Sequence, residues 1–167
     1  MYDKLTKSDI KKMQDEIDER TLVIRKQALE AVKEARAQGD LSENFEYKAA
    51  KQFKNQNESR IRYLEKMIKT ATIIDDSSAD DEVGMNNTVT VYFDEDDEEE
   101  VYKIVTTVRG DTLHGLISID SPLGKALMGK KVGEKAYVEV KEGVGYYVTV
   151  RAIDKSSSDA DDKIRKY

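Results

Sequence analysis

Ala35-Arg36-Ala37-Gln38-Gly39-Asp40-Leu41-Ser42-Glu43-Asn44-Phe45-Glu46-Tyr47 separates two stretches of helical periodicity, and its reading decides the fold of the first half of the chain. Gly39 suits the left-handed position just past a helix end, and Asp40 can cap the helix that follows. Upstream, Ile10, Met13, Ile17, Thr21, Ile24, Ala28, Ala31 and Ala35 recur in steps of three and four, tracing one stripe on a helix that Thr6 or Ser8 can cap. Downstream, the same spacing returns at Tyr47, Ala50, Lys54, Asn57, Ile61, Leu64, Ile68 and Ala71. Lys54 and Asn57 weaken the middle of this seam, and Phe53, beside Lys54, is expected to fill the gap. No proline interrupts either stretch, and at 1.5 Å per residue each helix runs about 40 Å, longer than a small globular domain needs. The pattern predicts an antiparallel helical coiled-coil hairpin whose tip is the turn at residues 38–43.

Two acids sit in that turn. Asp40 and Glu43 are three residues apart, the spacing of a capping box, in which both carboxylates satisfy free backbone N–H groups at the positive end of the second helix for about 1 kcal/mol. The spacing alone favours that reading. The functional alternative is half of a magnesium site. Magnesium takes one or two protein carboxylates and completes its octahedron with water and phosphate oxygens, so such a pair requires a second macromolecule.

The second half reads as short strands. Thr88-Val89-Thr90-Val91-Tyr92-Phe93 alternates, the acidic run 94–100 is expected to form a solvated hairpin loop, and Val101-Tyr102-Lys103-Ile104-Val105 returns. Gly115-Leu116-Ile117-Ser118-Ile119 is a third strand. Ser121 as N-cap and Pro122 at the first helical position then start a short helix that runs through Met128 and stops at Gly129. Strands at 136–140 and 146–153, joined by a Gly143-Val144-Gly145 turn, complete a small antiparallel sheet packed on that helix. The predicted organisation is α+β: a hairpin over 1–74, a polar linker over 75–86, a sheet domain over 87–154 and a polar, frayed tail over 155–167.

Composition narrows the chemistry. The 167 residues include no Cys and one His, which excludes disulfides, thiol nucleophiles, cysteine-ligated metals and multi-histidine sites. His114 permits a serine triad, but no Ser lies in a Gly-x-Ser-x-Gly turn. Site chemistry therefore rests on carboxylates. The longest apolar run is only a few residues and polar residues follow Met1 at once, so neither a membrane span nor a signal peptide is expected and the chain reads as cytoplasmic. Residues 1–74 hold 16 Lys/Arg and 13 Asp/Glu, whereas 75–167 hold 12 and 21, so the halves differ in charge as well as in pattern.

Two motifs carry a resemblance. Ala35-Arg36-Ala37-Gln38-Gly39-Asp40-Leu41-Ser42-Glu43-Asn44-Phe45-Glu46-Tyr47-Lys48-Ala49-Ala50-Lys51 resembles the tip signature of the Gre transcript-cleavage factors (GreA/GreB), and Ile117-Ser118-Ile119-Asp120-Ser121-Pro122-Leu123-Gly124-Lys125-Ala126-Leu127 is similar to their C-terminal signature. The resemblance implies a coiled coil that enters the secondary channel of bacterial RNA polymerase and an FKBP-like domain that docks at the channel rim. It implies that the factor is a monomer, not itself an enzyme, that stimulates the polymerase to hydrolyse backtracked RNA. Asp40 and Glu43 match the acids that help hold the second magnesium of the polymerase active site. Arg36 and Lys51 match the basic patch that attracts the 3′ end of backtracked RNA through its phosphates. Asp120, Ser121, Pro122 and Leu123 match the rim-docking loop, while on spacing alone they are a capped helix start. Phe45 stands where the family usually carries a small residue. The alternative is a Gre-like factor that binds the channel and inhibits without cleavage, which is expected to have altered tip acids. A prolyl isomerase would need an aromatic-lined pocket, and the second half has one Phe and no Trp.

Overall fold

The computed structural model describes residues 3–39 and 44–166. They form two compact units: residues 9–71, and residues 72–166 together with 3–8.

The first unit is helical. Helix α1 (Lys7–Glu19) passes through one π-helical turn at Arg20–Ile24 into α2 (Arg25–Ala37), and α3 (Phe45–Thr70) returns alongside. Helix α1 starts directly after Thr6. The expected stripes face inward: Met13, Ile17, Ala28 and Ala35 on the first arm and Ile61 and Leu64 on the second are buried, each Leu or Ile contributing about 1.5–3 kcal/mol through apolar burial. The middle of the seam departs from expectation. Phe53 is 46% exposed and fills nothing. The gap is occupied by polar side chains, since Asn57 is buried with its amide oxygen accepting from Arg20 Nη1 at 3.0 Å and its amide nitrogen donating to the Arg20 carbonyl at 3.2 Å. Glu16 completes this layer, accepting from Arg20 Nε at 2.7 Å and from Arg60 Nε at 2.8 Å. Burial by itself pushes the Glu16 carboxyl up, but hydrogen bonds and charge from Arg60 and Arg20 outweigh it and hold the group below the usual carboxylate range. A Phe ring cannot satisfy these groups, and a buried polar layer persists only when its members are paired.

The second unit is a five-stranded sheet with one short helix. Strands β1 (Lys4–Leu5) and β2 (Thr72–Ile73) form a separate parallel pair. The main sheet has the order β5-β4-β3-β7-β6, built from β3 (Thr88–Phe93), β4 (Glu98–Val105), β5 (Leu116–Ser118), β6 (Lys135–Lys141) and β7 (Val144–Asp154). It is mixed rather than purely antiparallel: β5 runs parallel to β4, because the chain crosses through two 3₁₀ turns, Thr107–Arg109 and Thr112–His114, instead of a hairpin. Alternate residues Val89, Val91, Val138, Val148 and Val150 point to one face, which the short helix α4 (Pro122–Leu127) covers with Leu127. Val83 and Met85, expected in the linker, are buried in this core, because the face needs more apolar cover than one six-residue helix supplies.

Three smaller expectations are corrected. Only 94–97 of the acidic run form the turn, while Glu98, Glu99 and Glu100 continue β4 opposite Phe93, Tyr92 and Val91, pairing overriding their low strand propensity. In the β6–β7 connection the positive-φ residue is Gly143 (φ 74°), and Gly145 lies within β7, where a Cβ would strike the Val138 carbonyl and the Tyr137 ring. The tail is not frayed: Thr88 and Ser157 hydroxyls meet at 2.5 Å, and Lys103 Nζ and Arg109 Nη1 reach Asp162 at 2.9 and 2.8 Å.

Candidate functional site

The hairpin tip is framed by two described ends. Helix α2 stops at Ala37, with the Gln38 amide donating to the Ala35 carbonyl at 3.3 Å, and Gly39 follows at φ 148°. Asn44 starts α3. Its side-chain oxygen accepts from the Tyr47 amide at 3.0 Å and its amide nitrogen donates to the Ala35 carbonyl at 2.7 Å, closing the last turn of one arm onto the first turn of the other. The N-cap of α3 is therefore Asn44, where the spacing had offered Asp40. Asp40 and Glu43 themselves lie outside the described residues. With the cap supplied by Asn44, capping is not needed to explain the two acids.

Around the tip, the basic and aromatic side chains pair. Arg36, in the last turn of α2, lies with its guanidinium 5.4 Å from the Tyr47 ring centroid and donates to the Tyr47 hydroxyl at 3.3 Å. That hydrogen bond holds the Tyr47 phenol below its usual range, burial opposing and the Arg36, Lys51 and Lys54 charges assisting. Tyr47 is half-buried and serves as the first residue of the seam, as its period predicted. Lys51 is exposed on α3 beside Lys48, Gln52 and Asn55 along a shallow depression. Phe45 is 80% exposed, and the Lys48 ammonium lies 5.7 Å from its ring centroid.

The other predicted residues belong to the second unit. Ser121 is the N-cap of α4: its hydroxyl accepts from the Gly124 amide at 3.0 Å and donates to the Ser118 carbonyl at 2.6 Å, with Pro122 exposed at the first helical position. Leu123 packs against the core. Asp120 is exposed, and its carboxylate accepts from the Thr107 hydroxyl at 2.9 Å. Thr107 carried no sequence signal, since its relation to Asp120 arises only when β5 folds back beside β4. Asn44 did carry one, being a good capping residue three positions before the first seam residue Tyr47.

Among the described residues, no group of three or more His, Asp or Glu is arranged to hold a metal ion, and no helix is long and apolar enough to cross a membrane. The chain matches the transcription elongation factor N-terminal family model over residues 4–73 and the transcription elongation factor GreA/GreB C-terminal model over residues 78–155. The chain belongs to the GreA/GreB transcription elongation factor family. It is similar to transcription elongation factor GreA of Chloroherpeton thalassium, 43% identical over 144 residues covering 86% of this chain and 91% of that one. GreA of Streptococcus thermophilus is 40% identical, covering 92% of this chain and 96% of that protein. Among solved structures, GreA factor homolog 1 of Thermus thermophilus aligns with TM-score 0.42 and 26% identity, over 92% of this chain and 99% of that one. Within this Gre-family chain, the N-terminal match spans the helical unit together with residues 4–8 and 72–73 of the second unit, the C-terminal match lies within the second unit, and the last twelve residues lie beyond the matched part.

Proposed function

We propose that this Gre-family factor inserts its hairpin into the secondary channel of bacterial RNA polymerase and stimulates the polymerase's own hydrolysis of backtracked RNA. The observation that carries the reading is the cap: Asn44 satisfies the start of α3, so the N-cap of α3 does not call on the carboxylates of Asp40 and Glu43, which precede it in the sequence. Two carboxylate oxygen donors suit magnesium but fall short of a complete set, so they fit a site finished by a partner. Bound jointly with polymerase carboxylates, magnesium supplies Lewis acidity for phosphodiester hydrolysis.

The chain's own contribution is placement. The paired arms end at Gly39 and Asn44, the residues that bracket 40–43 in the sequence, and the Asn44 to Ala35 bond ties the two arms together. Arg36 and Lys51 flank the tip and attract the RNA phosphates near the 3′ end. Arg36 stays aligned through its bond to the Tyr47 hydroxyl, which engages one of the several N–H donors of the guanidinium. The loop at 120–123 docks at the channel rim, presenting exposed Asp120 and Pro122 on a capped helix start. The factor has no active site alone, acts as a monomer and needs no membrane.

The test is RNA cleavage by a purified, stalled elongation complex with and without the protein. Shortened transcripts that appear only with polymerase, factor and magnesium together support the reading. Inhibition of elongation without cleavage contradicts it and favours the inhibitory alternative.

A further inference from the structure

Residues 156–166 extend past the part of the chain that matches the family model, yet they are held on the second unit by a chain of polar contacts. At its centre is Asp162, whose side chain is only 8% exposed. Lys103 of β4 donates to it at 2.9 and 3.1 Å, and Arg109, whose side chain is completely buried, donates at 2.8 Å. The tail backbone adds two more ties: Lys103 Nζ also reaches the Ser158 carbonyl, and the Arg165 amide donates to the Val108 carbonyl at 2.8 Å. A buried guanidinium needs a counter-charge, and Asp162 supplies one here.

Arg109 and Val108 belong to the 3₁₀ turn Thr107–Arg109, so the tail holds both of its last two residues. The first residue of the turn faces the docking loop. The Thr107 and Ser118 hydroxyls meet at 2.6 Å, Thr107 donates to the Asp120 carboxylate at 2.9 Å, and the Asp120 amide donates to the Ser118 hydroxyl at 3.0 Å. The connection thus runs by side-chain contact from Asp162 to Arg109, along the backbone of the 3₁₀ turn to Thr107, and by side-chain contact again to Asp120. Asp120 is exposed, and Lys4 lies 3.8 Å from its carboxylate, a long ion pair between two exposed groups. The short neutral-to-charged bond from Thr107 is the stronger of the two restraints.

We propose that residues 156–166 form a clasp that holds the 120–123 loop in its polymerase-binding geometry, with Asp162 and Thr107 as positioning residues. The proposal rests on the reading that this loop docks on polymerase. Removing the clasp frees the Thr107–Arg109 turn, and the Asp120 carboxylate loses its fixed direction before docking, so binding must supply that ordering.

The experiment titrates full-length variants against stalled elongation complexes and reads the factor concentration for half-maximal cleavage separately from the maximal rate. Asp162→Asn, Thr107→Val and a chain ending at Lys155 should each raise the half-maximal concentration about five- to tenfold while keeping the maximal rate. The double variant Thr107→Val with Asp162→Asn should be no more than about twofold worse than either single variant, because both break one series of contacts. Unchanged half-maximal concentrations, or fully additive losses in the double variant, overturn the clasp. If the shortened chain does not fold, Thr107→Val decides, since it removes only the hydroxyl facing Ser118 and Asp120. Asp120→Asn separates the two levels: if it leaves the half-maximal concentration unchanged, the docking reading fails. If it weakens binding while the Asp162 and Thr107 variants do not, the clasp alone fails.

Discussion

Asn44 makes two hydrogen bonds with one side chain, to the Tyr47 amide and to the Ala35 carbonyl, and so decides both where α3 begins and how closely α2 lies beside it. Asn44→Ala removes both and should lower hairpin stability by about 1–2 kcal/mol, read by thermal or denaturant unfolding. Retained stability would show that another group caps the helix. The sequence pointed to Asp40 instead, because capping chemistry is set by side-chain type, which Asp and Asn share, whereas the choice between positions depends on where the helical dihedrals start. The second residue-scale prediction concerns Asp162. Burial pushes its carboxyl up, but hydrogen bonds and charge from Lys103 and Arg109 outweigh that and hold it below the ordinary range. A lowered folded-state pKa stabilises the fold above the unfolded value, near 3.9, and the contribution disappears as pH falls through the lower folded value. The stability difference between the natural chain and Asp162→Asn should therefore be full near pH 7 and shrink progressively below about pH 5. A difference that grew on acidification would contradict the ion pairs.

At the scale of elements, the helical stripes were legible because burial on a rod imposes a period of three and four that side chains report directly. What filled the seam was not legible. Glu16, Arg20, Asn57 and Arg60 are charged or polar residues of the kind that usually face solvent, and only the juxtaposition of α1 with α3 shows that they satisfy one another. The π turn at Arg20–Ile24 was likewise invisible, since Ile17, Thr21, Ile24 and Ala28 keep steps of three and four through it. Arg60→Ala should cost about 3 kcal/mol, because Glu16 loses a charge partner inside the hairpin, whereas Phe53→Ala at an exposed position should cost less than about 1 kcal/mol. Equal costs would mean that the seam is apolar after all. In the sheet, alternation marked β3, β6 and β7, but the acidic half of β4 depended on a partner strand, and the parallel β5 depended on a crossover whose 3₁₀ turns leave no periodic signal. Gly124→Ala tests the loop before α4. A Cβ there would strike the Ser118 carbonyl, so the variant should lose the Ser121 cap and weaken polymerase binding without altering the hairpin. Normal binding would show that the loop tolerates the shift.

For the whole molecule, the change of pattern near residue 75 located two units, and the motifs at 35–51 and 117–127 located one candidate site on each. In the structure the helical unit ends at residue 71 and residues 3–8 belong to the second unit, because Leu5 is fully buried and its carbonyl receives the Ile74 amide at 2.8 Å, a pairing no local pattern encodes. In the proposed function the two units have separate tasks: the hairpin delivers Asp40 and Glu43, and the sheet domain supplies most of the affinity. The most direct test of that division is to measure cleavage rate and polymerase affinity together for Asp40→Asn and Glu43→Gln in the full chain. These substitutions keep shape while removing the charge magnesium needs. The account predicts that stimulated cleavage falls by orders of magnitude, is partly restored by raised magnesium, and that affinity stays within about twofold of the natural chain. Variants that bind and cleave normally would contradict it and return both acids to a structural role.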